Sequence, residues 1–198
     1  VPEETIVEIW KVLPEFPEKL QLMYLILFCT GIRKSEVCAV KAGSFYLANG
    51  ESWLRIYQPK MRKEKVIPVP GLLVELIKEY EEKNQIRNGE YLFKNKSGDA
   101  YNGQTFSNQM IHECKIRGID CGDYVFRAHD YRHSIATMLY ERGSSLQAVR
   151  DYLGHSSENM TKQYVDFMPK KILKAEEKYY EGKASFDLKG EEKNGKKH

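Results

Sequence analysis

The chain has 198 residues, about 1.3 times a typical domain of ~150, so one full-sized domain with at most an appendage is expected. Its 31 Lys and Arg against 28 Asp and Glu leave a formal charge of +3, which excludes a surface that is polycationic throughout. All of that excess lies in residues 170–198, with nine Lys against six acids, while residues 1–169 carry 22 of each and sum to zero.

Hydrophobic residues make up 41%, enough for a core. No stretch approaches the ~18 apolar residues of a membrane span, and VPEETIVEIW has neither a basic n-region nor a signal h-region, so a soluble, cytosolic chain with no membrane partner is expected. Cys29, Cys38, Cys114 and Cys121 form no Cys-x-x-Cys pair and read as reduced, partly buried thiols.

Taken in chain order, Ile6, Ile9, Trp10 and Leu13 lie at helical spacing after Thr5, a candidate N-cap, until Pro14 and Pro17 interrupt. EKLQLMYLILFCT, up to Thr30, is apolar almost all round and marks a buried helix that Gly31 ends or bends. SEVCAVK starts another helix, with Ser35 as cap and Glu36 favouring the positive end of its dipole. Between Ser44 and Val69 the runs SFYL, WLRIY and KVIPV predict a small antiparallel sheet. Its second turn, Lys60 to Lys65, is the densest basic cluster in the body of the chain. Leu72 to Tyr80 returns to helix, and a polar stretch from Asn84 to Asn102 holds YLF as a short strand. Helices are then expected at Thr105 to Arg117, His129 to Arg142, Ser145 to Leu153 and around Tyr164, with Gly143 and Gly154 as stops. After Pro169, KKILKAEEKYY is weakly amphipathic, and EGKASFDLKGEEKNGKKH lacks a core pattern and reads as a tail.

Several basic side chains fall where helix and turn geometry exposes them. Arg33 follows Gly31 in TGIRKSEV, at a break between apolar segments, where a charge is not buried cheaply without a partner. His129 and Arg132 in HDYRH share a helix face. His155 stands directly after Gly154, Tyr164 lies nine residues on, and Lys60 begins the basic turn. This set suits phosphoryl transfer to a protein hydroxyl. A phosphodiester under attack gathers negative charge that guanidinium groups clamp, a tyrosine with an ordinary pKa of about 10 needs cationic neighbours or a base, and the departing alkoxide needs a proton donor. No Gly-rich phosphate loop, acidic metal-binding pair or dinucleotide fingerprint is present, so neither ATP nor a metal is implied.

TGIRKSEV, a Lys-bearing hairpin (YQPKMRKEKVIPV), HDYRH, LGHSS and Tyr164, in that order, resemble the catalytic domain of tyrosine recombinases, the lambda-integrase family. The resemblance runs from near the N-terminus to about Asp166. It implies an α+β, mainly α-helical fold with a small three-stranded antiparallel sheet on one edge. It further implies that Arg33 and Arg132 clamp the phosphate, that Lys60 is the general acid for the leaving 5′-hydroxyl, and that His129 assists proton movement. On the same grounds His155 contacts the scissile phosphate and Tyr164 is the nucleophile that forms a 3′-phosphotyrosyl link. Arg62, Lys63 and Lys65, on the same hairpin turn, are expected to contact DNA.

Residues 1–168 are therefore expected to form the catalytic domain and 169–198 a C-terminal helix with a basic tail. The partner implied is double-stranded DNA in the bacterial cytoplasm, without cofactor or metal, for integration and excision of a mobile element. Family members place a helical core-binding domain before this one, so the chain reads as a C-terminal fragment. Ile172, Leu173 and Tyr179 form a stripe for exchange between protomers of a DNA-bound homotetramer, or for packing in cis in a DNA-free monomer. Two other classes stand beside this reading. His129 and His133 are four apart, as in zinc-hydrolase helices, with His155 as third ligand and Asp130 as base, although the usual helix carries Glu there; and a non-cleaving DNA-binding module would keep the same basic pocket.

Overall fold

The computed structural model describes residues 1–59, 62–119, 125–141 and 170–194. A central helix organises them. Helix α2 (Glu18–Thr30) is buried along Leu20 to Thr30, as its unbroken apolar run requires, and neighbours pack on it from several sides. Helix α1 (Glu3–Val12) begins directly after Pro2 and not at Thr5, which is buried within it. A 3₁₀ turn at Leu13–Glu15 follows, and the Gln21 side-chain amide donates to the carbonyls of Phe16, at 2.6 Å, and Pro14, at 3.2 Å. Gly31 ends α2 in the left-handed conformation, φ 59°, which a residue without Cβ adopts at no steric cost.

Helix α3 (Lys34–Cys38) is short. The expected cap, Ser35, lies inside it; the Glu36 carboxylate takes the Arg33 backbone N–H instead, at 2.8 Å. The predicted sheet is present, with β1 (Phe45–Ala48), β2 (Glu51–Gln58) and β3 (Lys63–Pro68) antiparallel in the order β1-β2-β3. Strand β3 takes in Lys63 and Lys65, so the second turn is shorter than the basic cluster. Helix α4 (Gly71–Lys83) starts after Pro70, and the stretch around YLF contributes only isolated bridges, Lys41 to Tyr91 and Lys94 to Ala100. Helix α5 (Gly103–Ile116) is capped by the Asn102 side chain, which accepts from the Gln104 and Thr105 amides, and α6 (Ala128–Glu141) carries HDYRH. The expected helices at 145–153 and around Tyr164 lie outside the described residues. The outcome is the mainly helical α+β architecture with a three-stranded antiparallel sheet that was expected.

The final helix, α7 (Lys170–Asn194), runs through most of the stretch read as a tail. Its Ala, Glu and Lys content carries good intrinsic helix propensity, and a docked first half removes the nucleation cost. That docking is in cis. Ile172, Tyr179 and Tyr180 are buried. Trp10 meets Tyr179, Tyr24 and Phe28 edge-on at 5.5, 5.7 and 5.3 Å, and the Tyr179 hydroxyl donates to Gln21 Oε1 at 2.8 Å. Glu176 is buried 4.0 Å from the Cys29 sulfur. Burial pushes the Tyr179 hydroxyl and the Cys29 thiol above their ordinary pKa values, so neither is a ready nucleophile. Cys29, Cys38 and Cys114 are buried, and burial raises the Cys38 thiol to about 11.

Because Tyr179 joins α7 to both α1 and α2, Tyr179→Ala is expected to lower the unfolding free energy by about 3 kcal/mol, whereas Leu47→Ala, at a side chain 61% exposed, should change it by less than about 0.5 kcal/mol. Urea unfolding of the two variants measures the contrast.

Candidate active site

The turn after α2 sets the first half of the site. Thr30 Oγ1 donates to the Ile26 carbonyl at 2.5 Å and accepts from the Ile32 amide at 3.3 Å. Left-handed Gly31 and buried Ile32 then carry the chain to Arg33. Arg33 is held twice by Glu36, through its amide and through Nη1, which donates to Oε1 at 3.1 Å. The same Oε1 accepts from Gln58 Nε2 at 3.2 Å, so a largely buried carboxylate ties strand β2 to the Arg33 turn.

The second half comes from α6. Tyr131 is fully buried, 5.4 Å edge-on to Tyr24 and 5.4 Å from Phe126, and Ile135, one turn on, is also buried. That anchor fixes the rotation of the helix and sends Arg132 back to the Gly31 carbonyl, to which Nη1 donates at 2.9 Å. The two arginines thus meet at one turn. Burial lowers the Arg132 pKa, and the neighbouring Arg33 charge lowers it further against the opposing pull of Glu36.

A third cation joins them from the sheet. Lys65 pairs across the ladder with Ile56 and lies on the inward face of β3 with Ile67, only 4% exposed. Burial pushes its pKa down to about 8, and Arg132, Arg33 and Lys63 push the same way while Glu36 opposes. The expectation that Lys65 lies in the turn is corrected: it belongs to β3, and strand alternation turns it inward toward the arginine pair. Lys63 is half-buried at the start of β3, opposite Gln58, and Arg62 is exposed with φ 50°. Among the described groups, the positive charges of Arg33, Arg132, Lys63 and Lys65 meet the carboxylate of Glu36 here, an arrangement that suits an anion.

His129 is exposed and lines, with Arg33, Lys34, Ser35 and Arg127, a cleft of about 620 Å³ beside the cluster. Its Nε2 lies 2.9 Å from that of His133. Lys60, His155 and Tyr164 lie outside the described residues. Arg33, Arg132 and His129 are thus placed around one turn and its cleft, joined by Lys65, and Glu36 and Gln58 are site residues to which the sequence reading gave no role there. Among the described residues no three His, Cys, Asp or Glu side chains are grouped to hold a metal ion.

A family model described as the phage integrase family matches residues 1–171. Transposase B from transposon Tn554 of Staphylococcus aureus (strain Mu50) is 34% identical over 158 residues, which are 77% of this chain and 25% of that protein. Tyrosine recombinase XerA of Thermococcus onnurineus (strain NA1) is 30% identical over 178 residues, 88% of this chain and 60% of that protein. The chain therefore spans only part of the length of these relatives. Among solved structures, XerH site-specific recombinase bound to difH substrate in a pre-cleavage complex superposes with a TM-score of 0.66 at 25% identity, covering 83% of this chain and 49% of that one. The lambda integrase catalytic core gives 0.56 at 20% identity over 80% of this chain and 92% of that one, a likeness of fold.

The buried position of Lys65 has a thermodynamic consequence. Its folded pKa, about 8, lies below the ordinary 10.5, so below pH 8 the folded state carries the full cost of the desolvated charge. Between pH 8 and 10.5 the unfolded state binds the extra proton, and stability rises with pH by roughly 3 kcal/mol from this group. Unfolding free energies of the protein and of Lys65→Met, measured from pH 7 to 10.5, should differ by such a pH-dependent term; parallel curves would show that Lys65 is not desolvated.

Proposed function

The chain belongs to the phage integrase family, and on that premise we propose that it is the catalytic domain of a site-specific DNA recombinase that cuts and rejoins strands through a 3′-phosphotyrosyl intermediate. The observation that carries the proposal is the convergence of Arg33 and Arg132 on the Gly31 turn, with Lys65 behind them. Cations gathered in a half-buried cluster suit an anionic ligand, and a phosphodiester is one. Two guanidinium forks match its non-bridging oxygens and strengthen as charge gathers there in the transition state. Phosphate binding also favours the charged form of Lys65.

In the proposed reaction the Tyr164 oxygen attacks the scissile phosphorus. The P–O5′ bond breaks as the P–O(Tyr) bond forms, Lys60 gives its proton to the departing 5′-oxygen, and the tyrosine proton passes to His129. His155 contacts the phosphate. One phosphodiester is exchanged for another, so no bond energy is lost and the step reverses when another strand's 5′-hydroxyl attacks. Nothing in this step requires a metal or a nucleotide cofactor.

The rest of the proposed biology follows the relatives. The transposase match supports integration or excision of a mobile element, acting on double-stranded DNA in a bacterial cytoplasm. A core-binding domain preceding this one would complete the clamp on DNA, with Arg62 and Lys63 at its phosphates. Assembly as a homotetramer on two duplexes requires α7 to leave its cis site or to be bypassed. Without DNA, the cis docking of Tyr179 and Ile172 favours a monomer.

A nicked suicide duplex, which loses its 5′-hydroxyl fragment after cleavage, traps the intermediate. Tyr164→Phe should bind this DNA as the unchanged protein does and give no covalent adduct, and an adduct that persists would remove Tyr164 from the mechanism. Arg33→Ala and Arg132→Ala should each slow adduct formation by roughly 10²–10³-fold, read from denaturing gels of single-turnover reactions.

A further inference from the structure

Two imidazoles meet on the exposed side of α6, at the cleft beside the arginine cluster. His129 and His133, one helical turn apart, bring their Nε2 atoms to 2.9 Å, with ring centroids 4.5 Å apart and ring planes at 85°. Both side chains are exposed, so solvent and solutes reach the pair. As a hydrogen bond, the contact uses one ring's N–H and the other's lone pair. If the donor ring instead carries its proton on Nδ1, both Nε2 lone pairs converge on one point and no proton has to be released.

The spacing selects the kind of ion that fits there. Metal–imidazole bonds are about 2.0–2.1 Å long, so two of them at a right angle span about 2.9 Å, while a tetrahedral angle requires about 3.4 Å. Right-angled ligand pairs belong to tetragonal Cu²⁺ and Ni²⁺, and Cu²⁺ binds nitrogen ligands most tightly of the divalent first-row series. We propose that His129 and His133 form a two-ligand chelate for a tetragonal transition cation, Cu²⁺ ahead of Ni²⁺ and both ahead of Zn²⁺, with water at the remaining positions. Occupancy blocks the ring nitrogen of His129 and so inhibits strand cleavage. Inhibition rests on the recombinase reading above; binding of the cation does not. Arg33 and Lys34, which line the same cleft, repel the ion and weaken the site without altering the order of preference.

The test uses the full chain with CuCl₂, NiCl₂ and ZnCl₂ in a non-chelating buffer, first by isothermal titration without DNA and then by adduct formation on the suicide duplex. Ni²⁺ serves as the redox-inert probe. One ion should bind per chain in the order Cu²⁺, Ni²⁺, Zn²⁺. Even an outer-shell partner of a metal ligand is worth about 10–100-fold in affinity, so His133→Ala should weaken Ni²⁺ binding by at least about tenfold and raise the half-inhibitory Ni²⁺ concentration by the same factor. Unchanged Ni²⁺ affinity in His133→Ala, or Zn²⁺ bound more tightly than Ni²⁺, would overturn the proposal. Binding as expected in a protein that forms no adduct without metal would leave the chelate standing and count against the recombinase reading instead.

Discussion

Two guanidinium groups repel each other, yet the fold holds Arg33 and Arg132 at the same turn, and most of the site depends on how it does so. Glu36 fixes Arg33 through both its amide and its side chain, and the Gly31 carbonyl fixes Arg132 across 101 positions of sequence. Both anchors start from the same short turn after α2. The aromatic core below makes this possible. Tyr131, seated among Tyr24, Phe28 and Phe126, cannot rotate without opening a cavity, so α6 presents Arg132 in a single orientation. A preorganised cation pair of this kind needs little rearrangement when charge develops on a phosphate.

The same central helix also couples the site to the C-terminal helix. Gln21 on α2 accepts from Tyr179, and Cys29, two residues before Gly31, lies against Glu176. The α7 contacts and the turn that carries Arg33 thus share one buried helix. Burial of Glu176 and Tyr180 makes this interface less favourable than an all-apolar one.

Much of this was legible in the sequence. The all-round apolar pattern of residues 18–30 could only be a buried helix, Gly31 had to stop it, and β-branched runs around Asn49 and Gly50 gave the sheet. Arg33, His129 and Arg132 were found because they are charged residues at breaks or on helix faces, in an order shared with a family. Gln58 was given no site role and Lys65 was expected in the turn, although the signal for their inward positions was present. In β2 the inward positions run Ser52, Leu54, Ile56, Gln58, and in β3 Lys65 and Ile67. A polar residue that continues an inward stripe next to a turn has to face something polar; the basic cluster was read as one turn, and the alternation was lost. The stripe of Ile172 and Tyr179 was legible, whereas the continuation of the helix to Asn194 was not, since helix propensity without a hydrophobic face leaves no periodicity to detect.

The central claim is that Arg33 and Arg132 act as a unit on one phosphate. A double-mutant cycle on the rate of adduct formation tests it most directly, comparing Arg33→Ala, Arg132→Ala and the double variant on the same suicide duplex. Groups that serve one transition state together are strongly non-additive, so the double variant should be little slower than the worse single variant. Additive losses, with the double variant slower by the product of the two single factors, would show that the arginines serve separate contacts and would contradict the account.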